Sequence, residues 1–333
     1  MTEEEQKRTP APAPAPAPSP EPESESGQRS GRGRLRIGLV GAGPWAEETQ
    51  APALASHDEV VFAGIWARRP EAAQVLADTW DTTAYDGEEG LGNLLAACDA
   101  VAFAVPPDVQ APLVVRAARA GCHVLLDKPV ATGVPEARAA ADAVAAAGVA
   151  SVVFCTLRFA PATRAWTVEQ SATGGWFTAS ARWLGSLYDP ASDASDHRFA
   201  ASPWRRERGG LWDLGPHVLS VLIPILGEVT EVAAFRGPED TVHLALRHTS
   251  GASSTAALGL SAPPKAAGVH LELLGDQGPA TLPRWAGSVS AFHAAVDALV
   301  ESVRTGRPDD CDIRFGLRLT EILAEAEDRL GKL

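Results

Sequence analysis

Asp213 and His217 stand four residues apart in the segment Gly209-Gly-Leu-Trp-Asp-Leu-Gly-Pro-His217, which leads into the apolar run Val218 to Leu226. On a helix this spacing brings both side chains to one face, where a carboxylate can orient an imidazole and stabilise its charge. A histidine held in that way carries protons near neutral pH. The same spacing also suits an acid in a helix's first turn beside a solvated histidine. The choice between the two depends on what the rest of the chain places nearby.

The elements that must position this pair fall into two patterns. From Leu35 onward, short apolar runs alternate with Ala-rich amphipathic segments: Leu35 to Val40, Val60 to Trp66, Ala100 to Val105, His123 to Leu126 and Ser151 to Cys155 read as buried parallel strands. Helices are predicted between them over Pro70 to Thr79, Gln110 to Ala120 and Pro135 to Ala147, the last opened by proline and closed by Gly148. Such alternation specifies an α/β Rossmann fold, a doubly wound parallel sheet, over 34–155. Beyond residue 156 the runs Trp176 to Gly185, Val229 to Arg236, Thr241 to Arg247, Ser253 to Leu260 and Val269 to Leu274 are strand-like and mostly hairpin-spaced. They predict a C-terminal α+β domain over 156–333, with a large, mostly antiparallel open sheet and two closing helices, about Ser288 to Arg304 and Arg314 to Arg329. Residues 1–33 are rich in Pro and Ala, then in Ser, Glu, Gly and Arg, and are expected to form a disordered tail.

The first strand runs into Gly41-Ala-Gly43-Pro44-Trp45-Ala46, a G-x-G-x-x-A turn. Gly41 permits the tight turn, Gly43 lets the backbone approach a pyrophosphate, and Ala46 lets helix pack on strand. Where the second strand ends, NAD enzymes carry an acidic residue for the ribose 2′-OH; here Arg68 and Arg69 stand instead. Their guanidinium groups suit a 2′-phosphate, so NADP is expected over NAD.

With 333 residues and 45% hydrophobic content the chain can bury two cores. A formal net charge of -13 argues against nucleic acid as a partner. Cys98, Cys122, Cys155 and Cys311 are too scattered for a metal or disulfide framework and read as buried thiols in a reducing compartment. No run approaches the roughly 18 uninterrupted apolar residues of a membrane helix, and the N-terminus lacks a signal pattern, so no membrane partner and a cytoplasmic location are expected.

Three further segments, Phe103-Ala-Val105-Pro106-Pro-Asp108, His123-Val-Leu-Leu-Asp127-Lys128-Pro129-Val130 and Gly209 to His217, follow the glycine turn in order. From about Leu35 to the C-terminus the chain resembles the Gfo/Idh/MocA family of NAD(P)-dependent oxidoreductases. The resemblance implies that Lys128 reaches the nicotinamide and a substrate oxygen, that His217 is the acid/base oriented by Asp213, and that Val105, Pro106, Gln110 and Asp127 join Pro44, Trp45 and the glycines at the cofactor. The family's usual E-K-P is Asp127-Lys128-Pro129 here; Gln110 stands where many relatives carry His or Asn, and Ser220 where many carry Asp. Arg205 is a candidate for an anionic or hydroxylated substrate, Tyr188 a minor acid/base candidate, and Trp183 and Trp212 candidate pocket walls. The expected activity is hydride transfer between NADP and a C–OH or C=O carbon of a sugar, polyol, keto-sugar or related small molecule, in a homodimer or homotetramer built through the second sheet. A catalytically silent NADP(H) sensor or scaffold, or a redox-neutral enzyme with tightly held cofactor, are the alternatives.

Overall fold

The computed structural model describes residues 33–191, 197–285 and 287–331. All but the last residue of the expected N-terminal tail lies outside the described residues.

Six strands, β1 (Leu35–Val40), β2 (Val60–Ala67), β3 (Ala84–Asp86), β4 (Ala100–Phe103), β5 (His123–Asp127) and β6 (Ser151–Phe154), form one parallel sheet in the order β3-β2-β1-β4-β5-β6. The crossovers are a π-type turn (Ala46–Gln50) continuing as α1 (Ala51–Ser56), then α2 (Pro70–Thr79), α3 (Gly87–Ala97), α4 (Pro107–Arg119) and α5 (Val134–Ala147). Helices on both faces leave every residue of β4 and β6 buried, which is why these strands are continuous apolar runs without alternation. The strand order reverses between β1 and β4, so their carboxyl ends open a crevice beside the glycine turn.

After α6 (Thr156–Phe159) and α7 (Pro161–Thr173) comes the second sheet. Its strands are β7 (Trp176–Leu184), β8 (Val229–Arg236), β9 (Val242–His248), β10 (Ser253–Gly259), β11 (Gly268–Gly275) and β12 (Gly278–Thr281), in the order β12-β11-β7-β10-β9-β8. Only β7 and β10 pair in parallel. A parallel pair needs a crossover, and α8 (His197–Ala200) and α9 (Pro203–Leu226) lie in the connection between them. α9 covers the inner face of the sheet, where Val242, Leu244 and Leu246 are buried while His243, Ala245 and Arg247 point outward, the alternation expected from sequence.

α9 is long and apolar enough by composition to cross a membrane, yet 83% of its apolar window is buried inside the protein, so its hydrophobicity is satisfied by the core. Gly209 breaks the helix near its start with φ 61° and ψ -164°, a conformation that side chains other than glycine rarely adopt. The chain thus bends between the Trp204-Arg205-Arg206 segment and the Asp213 to His217 turn, allowing the two to face each other.

The two closing helices, α10 (Ser288–Thr305) and α11 (Ile313–Leu330), follow the predicted spans closely but not the predicted allegiance. α10 packs against β5, β6, α1 and α6, with Phe292 edge-on to Phe154 at a ring separation of 4.9 Å. α11 lies between α5 and β6 on one side and α9 and β8 on the other. The last segment therefore completes the first lobe and bridges it to the second, whereas the sequence reading grouped both helices with the second domain.

Candidate active site

Strand β5 delivers Asp127 and Lys128 to the crevice, and Gln110 fixes the chain there. The Gln110 side chain, 1% exposed, donates through Nε2 to the carbonyls of Asp127, Pro129 and Val130 at 2.9, 3.2 and 3.2 Å, and its Oε1 accepts from the Asp127 N–H at 2.9 Å. Both ends of the amide are thus occupied by backbone. Gln110 departs from the expected cofactor contact and instead positions the Asp-Lys-Pro segment.

Lys128 Nζ donates to Asp213 Oδ1 at 2.6 Å and to the Asp213 carbonyl oxygen at 2.7 Å. The two side chains are only 10% and 11% exposed. Arg205 Nε donates to the same Oδ1 at 3.2 Å, while its guanidinium lies over the rings of Trp204 and Phe199 at 5.1 and 5.9 Å. Burial pushes the Asp213 carboxyl up, but Lys128, Arg205 and the hydrogen bond from Lys128 overcome it and hold the group well below the ordinary range. Asp127 lacks such close ionic partners; burial carries its pKa up to about 6 against the pull of Lys128 and Arg205, and its Oδ1 accepts from the Lys128 N–H at 2.8 Å.

His217 lies one turn beyond Asp213, as the spacing predicted, but the predicted bond between them is replaced. The carboxylate oxygen that was to orient the ring serves Lys128 and Arg205, and His217 Nδ1 is buried with no hydrogen-bond partner among the described residues. The ring packs on Trp183 with centroids 5.0 Å apart. Burial, then the Lys128 charge, lower its pKa well below the ordinary histidine value, with Asp213 opposing and Arg205 reinforcing the shift. Instead of titrating near neutrality, His217 is held neutral.

The remaining candidates divide clearly. Trp183 faces His217 and, at 6.2 Å, Trp285, whereas Trp212 is fully buried and donates to Glu327 at 3.2 Å, a core role. Ser220 Oγ donates back to the His217 carbonyl, so it does not replace the missing carboxylate. Tyr188 lies under Arg206 at 4.8 Å with its hydroxyl buried and unpartnered; burial and the Asp213 charge raise its pKa. Two positioning residues went unread in the sequence: Arg158, donating to the Ser220 carbonyl at 2.8 Å, and Phe199, edge-on to Trp45 at 6.4 Å. Neither has a local signal, because each partner is remote in sequence.

At the glycine turn, Gly41 has φ 126°, and a Cβ there would lie 2.3 Å from the Ala104 carbonyl oxygen. Nothing lies within 4 Å of a Cβ placed on Gly43, so the backbone faces open space where a pyrophosphate fits. Pro44 and Trp45 are half-buried beside it, Trp45 Nε1 is buried without a partner, and Ala46 is fully buried against the sheet. Val105 and Pro106 follow β4 across the crevice. Arg68 and Arg69 are exposed just after β2. These residues fit a dinucleotide. Among the described residues, no group of three or more His, Cys, Asp or Glu is placed to hold a metal ion.

A parallel sheet in this order, with a glycine turn at its switch point and a lysine and carboxylate across the crevice, defines a dinucleotide-binding oxidoreductase with a second, sheet-based domain. Residues 35–154 match the oxidoreductase family with an NAD-binding Rossmann fold, and residues 167–281 match the GFO/IDH/MocA C-terminal domain. The chain belongs to the Gfo/Idh/MocA family. It is similar to the dTDP-3,4-didehydro-2,6-dideoxy-alpha-D-glucose 3-reductase of Streptomyces violaceoruber, 27% identical over 287 residues that cover 84% of this chain and 80% of the relative. It also resembles the D-glucoside 3-dehydrogenase of Escherichia coli, 25% identical over 58% of this chain and 54% of that protein. The WlbA dehydrogenase of Bordetella pertussis, solved with NADH and UDP-GlcNAcA, shares the fold with a TM-score of 0.75 at 21% identity, covering 90% of this chain and 96% of the other.

Proposed function

We propose that this protein is an NADP-dependent dehydrogenase or reductase that acts on a C–OH or C=O carbon of a sugar, polyol, keto-sugar or related small molecule. The observation that carries this reading is the buried Lys128–Asp213 pair beside a neutral His217, at the mouth of a crevice shaped for a dinucleotide. The relatives named above are dehydrogenases and reductases of sugars, which supports the substrate class.

When bound, the nicotinamide supplies or accepts the hydride. Gly41, Gly43, Pro44, Trp45 and Ala46 would hold its pyrophosphate side, with Val105, Pro106 and Asp127 lining the crevice. Asp213 fixes the Lys128 ammonium by two hydrogen bonds, and the ammonium places positive charge where the reacting oxygen gains or sheds negative charge. His217, unprotonated at neutral pH, is available to take a proton from a substrate hydroxyl and to return it in the reverse direction. Trp183 and Trp285 provide an aromatic wall suited to the apolar face of a sugar ring.

Support for NADP comes from Arg68 and Arg69, which stand where a 2′-phosphate would lie and form none of the ion pairs among the described residues. Association through the outer face of the second sheet is supported by exposed Phe177, Phe235 and Leu274 on its strands, and the four buried cysteines are consistent with a cytoplasmic setting.

The test is a panel of sugars, inositols and keto-sugars followed by nicotinamide absorbance, with dissociation constants for NADPH and NADH. Turnover of any member that is abolished in Lys128→Ala is the expected result. Absence of dinucleotide binding sinks the enzyme reading, tighter binding of NADH removes the NADP assignment, and light scattering that shows only monomer removes the oligomer.

A further inference from the structure

The helix that follows the glycine turn begins with an electrostatic contradiction. Its first turn carries Glu47 and Glu48, four and five residues beyond Gly43, whose backbone faces the pyrophosphate site. Acids at a helix start favour the macrodipole, but there they compete with the anion that the same helix end is shaped to receive. The contradiction is resolved from the second domain. Arg198, on the short helix α8, pairs through Nη2 with Glu47 and through Nη1 with Glu48 Oε1 at 3.1 Å. The neighbouring Phe199 stands edge-on to Trp45 of the glycine turn at 6.4 Å, with interplanar angle 75°, and lies under the Arg205 guanidinium that holds Asp213. The α8 turn therefore touches the cofactor turn on one side and the catalytic carboxylate's partner on the other.

We propose that Arg198 is a determinant of dinucleotide affinity contributed by the second domain: its positive charge, shared between Glu47 and Glu48, offsets one of their two negative charges and so favours phosphate at the helix start. This rests on the dinucleotide-binding reading above. Exposed ion pairs contribute little to stability, so the effect is on ligand binding more than on folding. It acts through charge, and salt weakens it.

Fluorescence titration of NADPH and NADH against the full chain, Arg198→Ala, Glu47→Gln/Glu48→Gln and the triple variant tests the proposal without turnover. At low ionic strength Arg198→Ala is expected to weaken binding about threefold to tenfold, a loss that shrinks in high salt. Removing the two acids in the Arg198→Ala background restores affinity to the parent value or above it, because the parent cluster keeps one net negative charge and the triple variant keeps none. Unchanged affinity in Arg198→Ala overturns the proposal, as does a loss that the triple variant retains, since that loss would come from geometry and not charge. Should Arg198→Ala fail to fold, the Glu47→Gln/Glu48→Gln variant decides: binding as tight as the parent or tighter supports the proposal, and weaker binding overturns it. If the parent itself binds neither dinucleotide, the cofactor reading fails first, and that outcome is distinct from every one above.

Discussion

Lys128 grips Asp213 twice, through the side-chain oxygen at 2.6 Å and through the main-chain carbonyl at 2.7 Å. The double bond of contact fixes the ammonium relative to the α9 backbone as well as to the carboxylate. Asp213→Asn keeps the shape and the carbonyl contact while removing the charge. Turnover is expected to fall about 10²-fold or more with the fold retained, because the cations lose their counter-charge in a buried site. Asp213→Ala leaves Lys128 and Arg205 without a carboxylate and is expected to destabilise the protein by about 3 kcal/mol as well, measured by urea unfolding.

His217→Ala should lower turnover by about 10²-fold while NADPH binding, read by fluorescence, stays close to the parent. Turnover equal to the parent would remove His217 from the chemistry.

Asp127 gives a pH-dependent test. Its pKa is raised to about 6, so between the unfolded carboxylate range and pH 6 the native protein holds a proton that the unfolded chain does not. Stability from this group therefore rises as pH falls through 6 and is lowest above it. Asp127→Asn, which can still accept the Lys128 N–H, is expected to stabilise by about 1–3 kcal/mol at pH 7 and to give little or nothing near pH 4. Equal effects at both pH values would contradict the burial argument.

His217 has the opposite sign. A histidine held neutral favours the native state above its unfolded pKa, near 6.5, and that contribution is lost progressively as pH falls below it. In His217→Gln the drop in stability between neutrality and about pH 5 should be shallower than in the parent. Urea midpoints across that range provide the measurement.

Gln110→Ala removes a clamp of four hydrogen bonds from a site that is 1% exposed. A stability loss of about 2–4 kcal/mol is expected from the unsatisfied backbone groups, together with weaker cofactor binding as the Asp-Lys-Pro segment loosens. Gln110→Glu would discriminate further, since it retains the acceptor for Asp127 N–H but loses every donor.

Local patterns carried most of the fold. The strands β1, β2 and β4 to β6 and the helices α2 and α5 match runs read from apolar period and end signals, and the glycine turn declared the crevice. What was not legible was pairing across distance. Asp213 and His217 are neighbours on a helix face, so spacing suggested that they bond each other; Lys128, 85 residues away, and Arg205, on the far side of the Gly209 bend, take the carboxylate instead. Gln110 showed only that it was unusual, because its partners are backbone atoms of another segment. The short elements β3, β12 and α6 lack enough residues to establish a period, and nothing in the amphipathic pattern of α10 states which lobe it will cover.

That return of α10 has a consequence for synthesis. Phe292 seats against Phe154 in the sheet that is translated first, but it leaves the ribosome only after the whole second sheet has emerged. Until then the apolar surface of β5, β6 and α1 has no cover, and the nascent dinucleotide lobe exposes a sticky face to chaperones and neighbouring chains. A stop codon just after Thr281 would spare Lys128, Asp213, His217 and the whole glycine turn, yet should yield an aggregating product without dinucleotide affinity, since the lobe that is begun first is the last to be finished.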